Sequence, residues 1–194
     1  MASILNLKEE ALKNNIPIMQ DEGINFIKDY IKNNNIKNVL EIGSAVGYSA
    51  INFASIDKDI KVLTIEKDTK RYNEALKNIK SFNLENQIEI YNADALEFET
   101  NKKFDLIFID AAKSQYIKFF EKYKLNLGTN GVIITDNLSF HGMVEDESII
   151  TNRNTKQLVR KIKKYINFLI ENEEFETTFY EIGDKVSVSK KKVD

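Results

Sequence analysis

The chain has 194 residues, 42% of them hydrophobic and 30% charged, with a formal net charge of -2, which fits one globular domain able to bury a substantial core. The absence of cysteine excludes disulfides, thiolate catalysis and zinc-thiolate sites, and the small negative charge argues against wholesale coating of nucleic acid while leaving room for a local basic face. No apolar run approaches the ~20 residues of a bilayer span, and Lys8-Glu-Glu10 interrupts the first apolar stretch before a secretory leader can develop, so a cytoplasmic location without membrane contact is expected.

In chain order, Asn38–Ile42 is a short apolar run that reads as a buried strand, and Tyr48–Ala54 reads as a helix. Between them lies Glu41-Ile-Gly-Ser-Ala-Val-Gly47, which places Gly43 and Gly47 at a strand-to-helix turn, where glycine reaches positive φ and lets a ligand approach the backbone. The spacing is G-x-x-x-G and not the dinucleotide fingerprint. A pyrophosphate seated on this loop would meet the carboxylate of Glu41, whereas S-adenosylmethionine carries a sulfonium and an ammonium that suit acidic surroundings.

The next strand, Lys61–Ile65, ends at Glu66, 23 residues after Gly43, about where an acidic side chain meets ribose hydroxyls in nucleotide-binding α/β sheets. Thr69 to Phe82 reads as a helix with Thr69 as its N-cap. A third strand, Gln87–Tyr91, runs into Asn92-Ala-Asp94-Ala95. There Asp94 can accept from an adenine amino group and Ala95 leaves room for the ring, or Asp94 caps a following helix.

Phe104–Ile109 and Gly131–Thr135 have the continuous apolar, β-branched character of strands covered on both faces, with a helix between them from Ser114 to Tyr123. Two extended runs, Glu176–Ile182 and Lys185–Ser189, flank Gly183-Asp184 and predict a terminal hairpin. The alternation of strands and helices predicts an α/β fold: a single Rossmann-like domain over residues 1–194, with a mostly parallel sheet, helices on both faces and an antiparallel hairpin at the C-terminal end. Asp110 ends the fourth strand, and Asp136-Asn137 follow the fifth, 26 residues later. Ligands of open α/β sheets bind at the carboxyl ends of strands, so these side chains face the same crevice as Gly43 and Glu66. Two carboxylates and an amide carbonyl make a hard-oxygen set suited to Mg²⁺ or Mn²⁺.

Four stretches together, Glu41 to Ser49, Thr64 to Asp68, Phe108 to Lys113 and Gly131 to Asn137, carry a resemblance that covers nearly the whole chain. The chain resembles the cation-dependent O-methyltransferases, the group of the caffeoyl-coenzyme A and catechol enzymes. The resemblance implies a seven-stranded class I methyltransferase sheet, with Asp110, Asp136 and Asn137 as metal ligands. It implies a methyl-donor pocket formed by Met19, Glu41, Gly43, Ser49, Glu66, Asp94, Ala95 and Asp110, and it places Lys113 where a lysine takes the acceptor proton or orients the acceptor. A metal-adjacent ammonium can act as a base when its pKa is depressed. No covalent enzyme intermediate is required.

Asn14 to Gly23, Asp110 to Tyr116, Thr135 to Val144 and Ile182 to Ser189 resemble the short bacterial members that methylate 5-hydroxyuridine at the wobble position of transfer RNA. Its hydroxyl and O4 carbonyl form a vicinal pair able to chelate a metal as a catechol does. Transfer RNA needs a phosphate-binding face. Thr151 to Ile166 holds six basic residues, among them Arg153 and Arg160, and no acidic one; arginine reads phosphate bidentately. The bland alternative is a solvated helix face with Leu158, Val159, Ile162 and Ile166 toward the core. His141, the only histidine, is assigned no catalytic role. The expected partners are transfer RNA and a second copy of the chain; the competing expectations are a small catechol-like or acyl-coenzyme A phenol as acceptor, or a donor-binding module without turnover.

Overall fold

The computed structural model describes residues 3–192. Its centre is a seven-stranded sheet of order β3-β2-β1-β4-β5-β7-β6, formed by β1 (Asn38–Ile42), β2 (Lys61–Glu66), β3 (Ile88–Asn92), β4 (Phe104–Ile109), β5 (Leu127–Thr135), β6 (Phe175–Tyr180) and β7 (Val186–Lys191). The first five strands pair in parallel, and β7 inserts antiparallel between β5 and β6. The α/β class, the parallel body and the antiparallel hairpin are as the sequence predicts.

Alternate residues of the central strands feed two cores, because successive side chains in a strand point to opposite faces. Val39, Leu106 and Phe108 pack on one face with α2 (Asp21–Asn33) and α3 (Tyr48–Ala54). Leu40, Ile107 and Ile109 pack on the other with α5 (Tyr116–Tyr123) and α6 (Arg153–Ile170). This double covering explains why β4 is apolar everywhere but Asp105 and why β1 carries the adjacent apolar pair Val39 and Leu40. No helix among the described residues is long and apolar enough to cross a membrane.

Several boundaries differ from the sequence reading for local reasons. Helix α4 (Thr69–Ser81) is capped by Asp68, whose carboxylate accepts the Arg71 amide at 2.9 Å, so Thr69 is already the first helical residue. β5 begins at Leu127 and not Gly131: Leu127 pairs with Phe104 ahead of a register shift, with Asn130 at φ 63°. α6 turns Val159, Ile162, Tyr165 and Leu169 into the core, leaving Leu158 and Ile166 only half-buried. An amino-terminal helix, α1 (Ile4–Lys13), buries only Leu7 and Ala11, too sparse a stripe to stand out in the sequence. The hairpin strands also shift by up to two residues at their ends, and the intervening turn gains Glu181, Ile182 and Lys185.

Candidate active site at the carboxyl end of the sheet

β1 and β4 are neighbours, but the chain reaches β4 only after laying down β2 and β3 on the other side of β1. The gap between β1 and β4 is therefore the switch point at which ligands of such sheets bind. Backbone bonds extend the sheet past the strand ends here: Gly43 N–H donates to Ile65 O at 2.9 Å and Asp110 N–H to Ile42 O at 3.0 Å. Gly43 adopts φ 94°, and a Cβ at this position would lie 2.3 Å from the carbonyl oxygen of Asp110. The residue is glycine because the neighbouring strand's backbone abuts it, a stronger reason than ligand approach.

An open cavity of about 680 Å³ lies over this point, within the roughly 300–1,000 Å³ usual for ligand pockets. Of the residues expected there, Met19, Gly43, Ser49, Glu66, Asp94, Ala95, Asp110, Lys113 and Asn137 line it. Glu41 and Asp136 do not. Sequence reasoning misses Pro17, Tyr48, Lys67 and Phe119, which also line it; their nearness in sequence to Met19, Ser49, Glu66 and the α5 core stripe is the available signal.

The direct donor contact expected of Glu41 is not what the structure places there. Glu41 is fully buried behind the loop, accepting from Ser49 Oγ and, at 2.5 Å, from Thr64 Oγ1. Burial pushes its pKa up to about 7, against those two hydrogen bonds. It reaches the cavity only through Ser49. Glu66 lines the cavity and braces the loop as well: Oε2 accepts Ala45 N–H and Oε1 accepts Asp68 N–H, both at 2.8 Å. Asp94 caps a turn and no helix, accepting Leu96 N–H at 2.9 Å and an ion pair from Lys67 at 2.7 Å. The Lys67 hydrogen bond, with the Leu96 amide, holds the Asp94 carboxyl below its ordinary range.

Asp110 and Asn137 line the other end of the cavity, with the buried Asp136 behind them. Desolvation raises the pKa of both carboxyls; the charge of Asp110 adds to the rise at Asp136, which is pushed up to about 7, while the Lys113 ammonium opposes the rise at both. Asn137 Nδ2 donates to Asp136 Oδ2 at 2.8 Å, whereas Asp136 Oδ1 is buried without a hydrogen-bond partner. A buried, unpartnered carboxylate oxygen beside a second carboxylate and an amide oxygen fits a hard divalent cation. Among the described residues no three His, Cys, Asp or Glu side chains form a metal cluster, so any such site here depends on the asparagine. Lys113 Nζ donates to Asn137 Oδ1 and lies 5.7 Å from the centre of the Phe140 ring. Asn137, Phe140 and His141 have φ of 62°, 50° and 59°, a run of left-handed non-glycine residues of the kind that concentrates at functional sites.

Arg153 and Arg160 are exposed on α6 and do not line the cavity. Helix α6 packs against the Lys113–Gln115 turn, and neither arginine has an ion-pair partner among the described residues, while Lys163 is paired with Glu147 at 2.6 Å. The His141 side chain is 67% exposed.

A family model described as O-methyltransferase matches residues 2–192. The caffeoyl-CoA O-methyltransferase of Populus kitakamiensis is 28% identical over 180 residues, covering 88% of this chain and 76% of that protein. The catechol O-methyltransferase of Niastella koreensis is 37% identical over 120 residues, covering 58% and 54%. A Staphylococcus aureus structure provisionally assigned as a caffeoyl-CoA O-methyltransferase superposes with a TM-score of 0.94 at 42% identity, covering 99% of this chain and 93% of its own. A Bacillus cereus O-methyltransferase solved with S-adenosylhomocysteine shares the fold at a TM-score of 0.81, at 24% identity and covering 97% and 90%. The chain belongs to the O-methyltransferase family.

Proposed function

We propose that this chain transfers the methyl group of S-adenosylmethionine to the 5-hydroxyl of 5-hydroxyuridine at the wobble position of transfer RNA, with Mg²⁺ or Mn²⁺. The observation that carries the reading is the meeting, at one cavity, of the acidic glycine-loop side with Asp110 and Asn137, beside which lies the buried, unpartnered oxygen of Asp136. On the donor side, Glu66 holds the Ala45 and Asp68 amides, and its remaining lone pairs face ribose hydroxyls. Glu41 keeps the Ser49 hydroxyl hydrogen engaged, so the Ser49 oxygen presents lone pairs to the donor's ammonium. Ala95 gives space for adenine. A cation held by Asp110, Asp136 and Asn137 would supply Lewis acidity that lowers the pKa of a chelated hydroxyl. Lys113, beside Asn137, receives the hydroxyl proton or orients the acceptor while solvent takes that proton. The acceptor oxygen then displaces the donor sulfur in line at the methyl carbon.

Support for an RNA acceptor comes from Arg153 and Arg160, exposed on a helix that packs against the turn bearing Lys113. Homodimer formation belongs to the same proposal; exposed Leu5 and Leu12 on α1 offer apolar surface for it, and light scattering reads the mass. A second reading, a small catechol-like acceptor, draws on the similarity to the Niastella koreensis enzyme.

The test incubates the chain with S-adenosylmethionine, Mg²⁺ and hydroxylated transfer RNA, followed by mass spectrometry of the nucleosides. Formation of 5-methoxyuridine is the expected result; methylation of catechol with none on the RNA would move the conclusion to the second reading. Replacing Arg153 and Arg160 by Ala should raise the KM for RNA and flatten the logarithmic salt dependence, by about 0.7–0.9 for each phosphate no longer neutralised. Activity on the free nucleoside should hardly change.

A further inference from the structure

The turn between β6 and β7 contains a buried carboxylate that the chemistry above does not use. Asp184 is 5% exposed, and its Oδ1 accepts the backbone amide of His141 at 2.6 Å. The same turn takes two more amides from the segment after β5: Leu138 N–H donates to Lys185 O at 3.0 Å, and Ser139 N–H to Asp184 O at 2.9 Å. Three bonds from one turn therefore hold three residues of the stretch from Leu138 to His141. The pair at the end of that stretch, Phe140 and His141, is left-handed, a conformation that non-glycine residues keep only when their surroundings impose it.

The position of this corner gives the clasp its consequence. Phe140 lies over Lys113, and Lys113 donates to Asn137, so the strained pair stands beside the corner where the acceptor would enter. On its far side the turn packs against the start of α2: Gly183 N–H points to Glu22 Oε2 at 3.4 Å, and a Cβ on Gly183 would approach Gly23 N to 3.4 Å. The turn is thus anchored on the body of the protein while it grips the loop.

We propose that Asp184 is a positioning residue for the acceptor, its carboxylate holding the Phe140–His141 corner in its left-handed conformation beside Lys113 and Asn137. The assignment rests on the reading of that corner as the acceptor side. It makes no demand on the donor pocket, where no residue bonds to Asp184 among the hydrogen bonds of the described residues.

The test compares Asp184→Ala with Asp184→Asn in the full chain, since asparagine retains an oxygen able to accept the His141 amide and alanine does not. Hydrogen exchange of the protein alone should show amides of residues 138–144 exchanging at least about tenfold faster in Asp184→Ala, with β1 to β3 unchanged and Asp184→Asn close to the native chain. With Mg²⁺ and catechol or 5-hydroxyuridine as probes, Asp184→Ala should raise the acceptor KM about fivefold or more, leave the calorimetric Kd for S-adenosylhomocysteine within about twofold, and be rescued by Asp184→Asn. Unchanged exchange at 138–144, a donor Kd that rises in step with the acceptor KM, or an asparagine variant as impaired as the alanine would each overturn the proposal. Should Asp184→Ala fail to fold, Asp184→Ser, with a hydroxyl too short to reach the same amide, takes its place in both measurements. Failure of the native chain to methylate either probe would overturn the functional reading instead, and the exchange measurement, which needs no acceptor, still decides the clasp.

Discussion

The two sides of the cavity handle their acidic groups differently. On the β1–β2–β3 side each carboxylate already has partners: Glu41 has Ser49 and Thr64, Glu66 has the Ala45 and Asp68 amides, and Asp94 has the Leu96 amide and Lys67. On the β4–β5 side Asp136 Oδ1 is buried with no partner, and the chain just beyond it is left-handed at three non-glycine residues. The first side is preorganised for binding. The second keeps an unpartnered carboxylate oxygen, as expected where charge must be supplied or moved during a reaction.

The largest expected effect tests that contrast directly. Asp136→Ala, or addition of EDTA to the native chain, should reduce methyl transfer on the order of 10³-fold or more, since a Lewis-acid contribution is worth several kcal/mol. Donor affinity measured by calorimetry should stay nearly constant. Full activity in EDTA would break the comparison, because the unpartnered oxygen would then have no chemical use. Asp136→Asn should also leave the metal-free protein no less stable in thermal denaturation, as it removes a buried charge with one oxygen unpartnered.

Gly43→Ala should blur the two sides together. A Cβ 2.3 Å from Asp110 O at φ 94° must push β1 and β4 apart, costing at least about 2 kcal/mol and lowering Tm by roughly 4–8 °C or more. Both donor affinity and transfer should fall. Loss of only one would show that the strand ends move independently.

A pH-dependent effect that leaves the fold at neutral pH untouched belongs to the satisfied side. Glu41 has its pKa raised from 4.5 to about 7 in the folded chain, mainly by burial. A carboxyl whose folded pKa is raised holds its proton longer in the native state, so its stabilising contribution is complete below about pH 4.5 and is lost as pH rises through about 7. Denaturant titrations across that window should show a decline on the order of 3 kcal/mol from this group. Glu41→Gln should flatten it. An unchanged slope in the glutamine variant would assign the pH dependence to the Asp110 and Asp136 corner.

How much of this is legible in the sequence follows from the range of each interaction. Gly43, Glu66, Asp94, Asp110 and Asn137 sit at strand ends marked by apolar runs, and strand ends gather on one edge of a parallel sheet, so their shared cavity can be read from local pattern. The placement of Glu41 cannot. Alternation along β1 points it to the side of the loop where Ser49 and Thr64 wait, and the latter comes from a neighbouring strand whose register only the fold sets. Asp68 and Thr69 are both good cap residues one position apart, and only the bond to the Arg71 amide decides for Asp68. The turn at Gly183-Asp184 is legible, but the grip of Asp184 on His141 is not: its partner lies 43 residues earlier, in a segment with no periodicity.

The insertion of β7 between β5 and β6 also bears on the order in which this protein is made. During synthesis every parallel strand precedes β7, so Val132–Thr135 must exist for a time as an uncovered apolar edge, the kind of edge that invites pairing between molecules. Only when Ser187–Lys190 arrives is that edge closed, and the adjoining turn that grips the loop after Asn137 arrives with it. A nascent chain halted before Val186 would carry the residues of both sides of the cavity but leave the β5 edge open, making it a candidate for chaperone capture.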